Sequence, residues 1–290
     1  MPDEDRRPRD RNEFNPGREL RDLSEREQEE IGKESRPDAL LIHETIRAEG
    51  ESQLKRDSSA LLISGLAAGL SMGFSLVVEG LLHEKLPSAP WRDLVSSLGY
   101  TIGFLIVVLG RQQLFTENTL TPILPLLHNR DGGTLGKVLR LWTLVLVANI
   151  AASWVFAVVI AHTSVFEEAA KTAFSEVSRT ALASPPFTTF LKAIFAGWLI
   201  ALMVWLLPAV SGAGRPLVIV IITYVVSLGD FSHIIAGAVD VFYLLETGEA
   251  RWAEAVSGFF LPTLLGNVVG GVALVAILNY GQVAKETGRR

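Results

Sequence analysis

The sequence predicts an all-α membrane protein: six transmembrane helices in a three-plus-three inverted repeat, with two of the helices broken. Three observations carry this. Residues 57–290 hold several apolar stretches near the ~20 residues that cross a bilayer, although the chain as a whole is 20% charged with a mean hydropathy of +0.34. Two of these stretches are interrupted by polar runs, at 114–122 and 227–233. An asparagine stands in the middle of the third and of the sixth, at Asn149 and Asn267.

The charges are segregated, since 28 of the first 56 residues are Asp, Glu, Lys or Arg. Residues 1–36 mix both signs with Pro and Gly and have little to bury, so they read as a solvated, disordered tail. No apolar h-region precedes the spans, so the first span is expected to direct insertion. From Asp38 the pattern changes: Leu40, Leu41, Ile46 and Leu54 form a sparse stripe on a short amphipathic helix, with Asp38 as its N-cap. That helix is expected to dock on the cytoplasmic face of the protein or of a neighbour. The resulting division is a charged cytoplasmic tail at 1–56, a transmembrane domain at 57–280 and a second cytoplasmic tail at 281–290.

The first span covers about residues 58–82 and is rich in small residues, among them Gly65, Gly69 and Gly73, which let helices approach closely. Glu79 lies near its far end, within reach of water or His83. Trp91 follows as an interface anchor. The second span, about 95–127, contains the first break, and a turn at 129–133 leads into a third span ending near residue 160. Residues 162–186 are amphipathic and end at Pro185-Pro186, which predicts a surface helix outside the bilayer. The fourth span covers about 187–210; the fifth, about 217–245, contains the second break; the sixth covers about 255–280. Six spans put both termini on one side, and that side carries ten Lys and Arg near the span ends against six on the other. The bias places the termini in the cytoplasm.

A polar run backed by a proline cannot continue a lipid-facing helix, because backbone at bilayer depth is irregular only where protein or a water-filled cavity surrounds it. Two half-helices around such a break, at corresponding positions of two halves, point to the binding site of a transporter. The repeat aligns 146–153 with 264–271, asparagine on asparagine, and sets Phe115-Thr116 against Phe231-Ser232. Asn149 and Asn267 are expected to hydrogen-bond backbone groups freed by the breaks, ahead of touching a ligand.

At these residues the sequence resembles the formate/nitrite transporter family. The matching pieces are Leu114-Phe115-Thr116, Gly229 followed by His233, Leu202-Met203-Val204 and the two Asn-centred spans. The charged tail and the run 111–118 resemble a subgroup of uncharacterised bacterial inner-membrane proteins. The resemblance implies an aquaporin-like subunit, a homopentamer in the inner membrane with one pore per subunit, and passage of small monovalent anions or weak acids such as formate or nitrite. It implies His233 as the central pore histidine, Thr116 facing it, and Leu114 with Phe115 in a hydrophobic constriction. It also implies a positive vestibule and protonation of the anion near the centre. The chain departs from the family where a Glu before Leu-Phe-Thr becomes Arg111-Gln112-Gln113, and where the Glu and Asn flanking the histidine become Ser232 and Gly237. Arg111, Glu117 and Asp230 are therefore candidates for an ion-pair cluster that ties the breaks together and plugs the pore. This leaves open a second class of function, a non-conducting scaffold.

Other chemistry is excluded or unsupported. The chain has no cysteine, which removes disulfides, thiolate metal sites and thiol catalysis. Its five histidines are scattered and match no metalloprotease spacing or phosphate-cradling loop. No catalytic residue, metal, cofactor or nucleic-acid partner is expected; the partners are lipids, copies of the chain and a small solute.

Overall fold

The computed structural model describes residues 38–277 and Gly281. The tail expected at 1–36, the end of the sixth span at Tyr280 and the last residues, 282–290, lie outside the described residues.

Helix α1 (Ala39–Leu54) starts where Asp38 accepts a hydrogen bond from the Leu41 amide at 2.7 Å. Ile42, Ile46 and Leu54 are buried and face the membrane body, whereas Leu41 of the expected stripe is exposed and Ile42 takes its place. Helix α2 (Ser58–Lys85) is the first span. It is followed by α3 (Arg92–Leu109), a single 3-10 turn at Glu117–Thr119 and the short α4 (Ile123–Asn129), which together make the broken second span. Helix α5 (Gly132–His162) is the third. Helix α6 (Glu168–Ser178) is the surface helix, α7 (Pro186–Leu206) the fourth span, and α8 (Gly214–Leu228) with α9 (Ala236–Glu246) the broken fifth. Five helical stretches are each long and apolar enough to cross a bilayer, and α8 with α9 supplies a sixth crossing in two pieces.

The sixth span departs from the regular helix expected. After a short turn, α10 (Trp252–Glu254), the backbone widens into π-type turns at Ala255–Phe260, tightens in α11 (Leu261–Val269) and widens again at Gly270–Ile277. Pro262 accounts for the first widening. It has no N–H to give the carbonyl four residues back, and a wider turn relieves the clash of its ring.

Glycines set how closely the two halves of the repeat pack. A side chain on Gly69 of α2 would collide with the carbonyl oxygen of Asn149 on α5, and one on Gly197 of α7 would collide with that of Asn267 on α11. The first and third spans of each half therefore touch backbone to backbone at the same place. The surface helix α6 is not loose. Phe174 is fully buried, packed edge-on to Tyr243 at 6.0 Å, and the Tyr243 hydroxyl donates to the Lys171 carbonyl at 3.0 Å. Arg179 and Ser175 donate to Glu249, which fixes α6 to the turn after α9.

Candidate functional site

Both breaks open with the same backbone device. Helix α3 ends at Gly110, Arg111 takes a left-handed conformation at φ 52°, and the Gln112 amide donates back to the Val107 carbonyl at 3.0 Å. Helix α8 ends at Gly229, Asp230 stands at φ 47°, and the Phe231 amide donates to the Val226 carbonyl at 3.0 Å. This is a Schellman-type stop at each site, with a charged residue where glycine is usual. The two breaks thus share a register in which Arg111 corresponds to Asp230.

The asparagines confirm that register through their bonds. Asn149 accepts from the Phe115 amide at 2.9 Å and donates to the carbonyls of Gln113 and Gly65 at 3.0 and 2.7 Å. Asn267 accepts from the Ile234 amide at 2.9 Å and donates to the carbonyls of Ser232 and Ala193 at 2.9 and 2.8 Å. Each side chain satisfies two backbone groups of its break and one carbonyl of the first span in its half. Phe115 therefore corresponds to Ile234, and Leu114 to His233. The expected pairing of Phe115-Thr116 with Phe231-Ser232 was three residues off, because it matched side-chain likeness where the bonds are made by backbone.

The centre lies where the breaks meet. Thr116 Oγ1 and His233 Nε2 are 2.7 Å apart, and both residues are buried. The Ala236 amide donates to His233 Nδ1 at 3.2 Å. An Nδ1 that accepts carries no proton, so the neutral ring has its hydrogen on Nε2 and donates it to Thr116. Thr116 then keeps its own hydroxyl hydrogen for a further acceptor. Apolar side chains enclose the pair. Phe104 stands edge-on to His233 at 5.0 Å, and Leu114 and Phe115 are buried beside Thr116. Phe115 packs against Trp142, whose indole N–H donates to the Asn118 carbonyl at 2.7 Å. The outer edge of the Phe259 ring occupies the space that a side chain at Gly237 would need, so an aromatic ring stands where the resemblance expects an asparagine.

A cavity opens on each side of this centre. The one beside α1 has a volume of about 520 Å³ and is lined by Glu49, Arg111, Gln113, Glu117 and Arg215 among others. The one beside α6 measures about 330 Å³ and reaches His233. Five carboxylates line it, Glu79, Asp93, Glu176, Asp230 and Asp240, with Lys192 and His83 as the basic residues. Within it, Ser227 donates to Glu79 at 3.2 Å, and His83 stands 3.0 Å from Glu176 and 3.6 Å from Asp93. The positive vestibule implied by the resemblance is thus not found on this side.

The expected cluster of Arg111, Glu117 and Asp230 is not formed. Arg111 is largely exposed in the α1-side cavity, and its guanidinium lies 3.8 Å from Glu49 of α1. Asp230 lines the opposite cavity. The reason is the repeat itself: residues equivalent under an inverted two-fold must face opposite mouths. The five acidic groups beside α6 come from α2, α3, α6, the second break and α9, and no local sequence signal joins them. Among the described residues no three His, Asp or Glu side chains cluster as metal ligands.

Comparisons with known proteins agree with this architecture. Residues 41–281 match the family model described as formate/nitrite transporter. The inner membrane protein YfdC of Escherichia coli (strain K12) is 40% identical over 87% of this chain and 81% of its own length. The formate channel BtFdhC of Bacillus thuringiensis is 26% identical over 84% and 95%. Among solved structures, an FNT family ion channel superposes with a TM-score of 0.74 at 16% identity, covering 83% of this chain and 98% of that one. A pentameric formate channel with formate bound superposes at 0.67 with 18% identity over 78% and 98%.

Proposed function

The chain belongs to the formate/nitrite transporter family, and on that premise we propose that it passes small monovalent anions or weak acids of the formate and nitrite kind along a path between Thr116 and His233. The observation that carries this is the buried Thr116–His233 contact, set between two cavities by repeat-equivalent breaks. Leu114, Phe115 and Phe104, all buried near the Thr116–His233 pair, make an apolar surrounding that disfavours a hydrated ion. A solute has to shed water there, and an unpaired charge in such a constriction is costly while a small neutral acid is not. One hydrogen-bond donor is left to face the passing group, the hydroxyl of Thr116, whose oxygen accepts from Nε2–H of His233. The arginines of the α1-side mouth favour arrival of the anion, and the carboxylates of the α6-side mouth favour the neutral acid.

The protein sits in this reading as a multi-pass protein of a bacterial inner membrane with both termini in the cytoplasm, assembled as a homopentamer with one path per subunit. It is a conduit and not an enzyme. The charged tail at 1–56 and the C-terminal tail at 281–290 then flank a channel domain at 57–280. The scaffold reading loses its lock, because Arg111, Glu117 and Asp230 do not form the plug. The test is osmotic swelling of proteoliposomes followed by light scattering. Formate and nitrite are expected to swell them faster than empty liposomes, and sulfate is not. Rates equal to empty liposomes for both solutes would overturn the proposal and return the scaffold.

A further inference from the structure

Apart from the path through the breaks, a groove of about 500 Å³ lies where the loop after α1 meets the start of α5. Lys55 and Arg56 line it from the loop, Lys137 and Arg140 from α5, and Asp57 is the one carboxylate among the lining residues. Four cations against one acid leave it strongly positive. Arg140 is partly engaged: Nη2 donates to the carbonyls of Arg56 and Leu54 at 2.7 and 3.4 Å, which pins the loop to α5. Lys55 and Lys137 are exposed. Neither has a carboxylate within ion-pair distance among the described residues.

Two further features fit a phosphate. Asp57 is the N-cap of α2 but its side chain makes no capping bond, so the first amides of a 28-residue helix stay open beside the cations. The wall formed by α5 is bare, since a side chain on Gly136 would meet nothing within 4 Å. Immediately along α5 the surface turns apolar, with Leu135 and Leu139 exposed, as is Ile63 on α2. A cationic groove that gives way to lipid-facing leucines matches an amphiphile, with its phosphate in the groove and its chains beside the helix.

We propose that this groove binds the headgroup phosphate of an anionic phospholipid. The inference is independent of what crosses the central path. Native mass spectrometry of the full-length protein, titrated with phosphatidylglycerol and separately with phosphatidylcholine, tests it. Saturable retention of phosphatidylglycerol over phosphatidylcholine is expected. The double variant Lys55→Gln/Lys137→Gln removes exposed charges only, and should weaken that retention roughly tenfold or more. A control of equal charge on the same side, Arg130→Gln/Arg215→Gln, should weaken it by less than about twofold. Equal losses in the two double variants would mean diffuse attraction and would overturn the site. Equal retention of phosphatidylcholine would overturn it as well. Saturable binding of inorganic phosphate that the Lys55→Gln/Lys137→Gln variant loses, with no retention of phosphatidylglycerol, would assign the groove to free phosphate and refute the lipid.

Discussion

Replacing Asn149 by leucine probes what holds the first break in place. The side chain is fully buried and makes three bonds, all to backbone: the Phe115 amide and the Gln113 and Gly65 carbonyls. Leucine fills a similar volume and returns none of them. The Phe115 amide and the Gln113 carbonyl lie in the irregular break, so each loses its partner at a cost of about 1–3 kcal/mol. The Gly65 carbonyl belongs to a helix and loses about 1 kcal/mol. The sum is roughly 3–7 kcal/mol, which on the scale of soluble domains corresponds to a fall of roughly 10 °C or more in Tm. The assay is thermal loss of the oligomer peak on fluorescence-detected size exclusion. Asn267→Leu should fall by a similar amount, because its three bonds match one for one. Asn149→Asp keeps the acceptor for Phe115, loses the two donated bonds and adds a buried charge, so it should also melt well below wild type. Melting within about 2 °C of wild type for both leucine variants would show that the asparagines do not hold the breaks. A large effect at one site only would show that the two halves, alike in geometry, differ in energetics.

Arg111→Gly should leave stability unchanged or raise it by up to about 1 kcal/mol. Glycine relieves a left-handed conformation, and the exposed pair with Glu49 is worth little; a loss beyond about 2 kcal/mol would restore a buried partner for Arg111. Gly69→Val should cost several kcal/mol or abolish the oligomer peak, because its side chain meets the Asn149 carbonyl, whereas Gly136→Val, which meets nothing, should form the oligomer as wild type does. The Thr134 hydroxyl, and then its amide, hold the Asp131 carboxyl below the usual aspartate range. The cap it provides is therefore fully present above the unfolded value near pH 4 and lost as pH falls through the lower folded one. The melting difference between wild type and Asp131→Ala should shrink between about pH 5 and pH 3, and a difference constant across that range would remove Asp131 as the titrating cap.

Much of this was legible in the chain because hydrocarbon imposes strict demands. Apolar length marked the spans, and polar runs inside them marked both breaks, since lipid tolerates neither polar side chains nor unpaired backbone. Asn149 and Asn267 were visible as polar residues with no reason to stand there except a backbone to satisfy. What escaped the sequence was register and side. The amides that meet the asparagines belong to Phe115 and Ile234, two residues with no chemistry in common, so side-chain likeness pointed three positions away. Arg111 and Asp230 each lie close to a break along the chain and look like partners. The inverted repeat that the sequence already showed requires them to face opposite mouths. The acidic cavity was illegible for another reason, being assembled from five separate elements. The widening of the sixth span had its cause in view, in Pro262, and the regular helix expected there took no account of it.

The central claim is that a weak acid passes between Thr116 and His233. Uptake of labelled formate into proteoliposomes at about pH 5 and about pH 7.5, for wild type and for His233→Ala, tests it most directly. Wild type should take up formate faster at the lower pH, where more of it is neutral. His233→Ala, shown to be folded by its oligomer peak, should change the ratio of the two rates, because it removes the Nε2–H that orients the Thr116 hydroxyl for the solute. Robust flux with the same ratio in both proteins would contradict the account, and the route would have to lie elsewhere in the molecule.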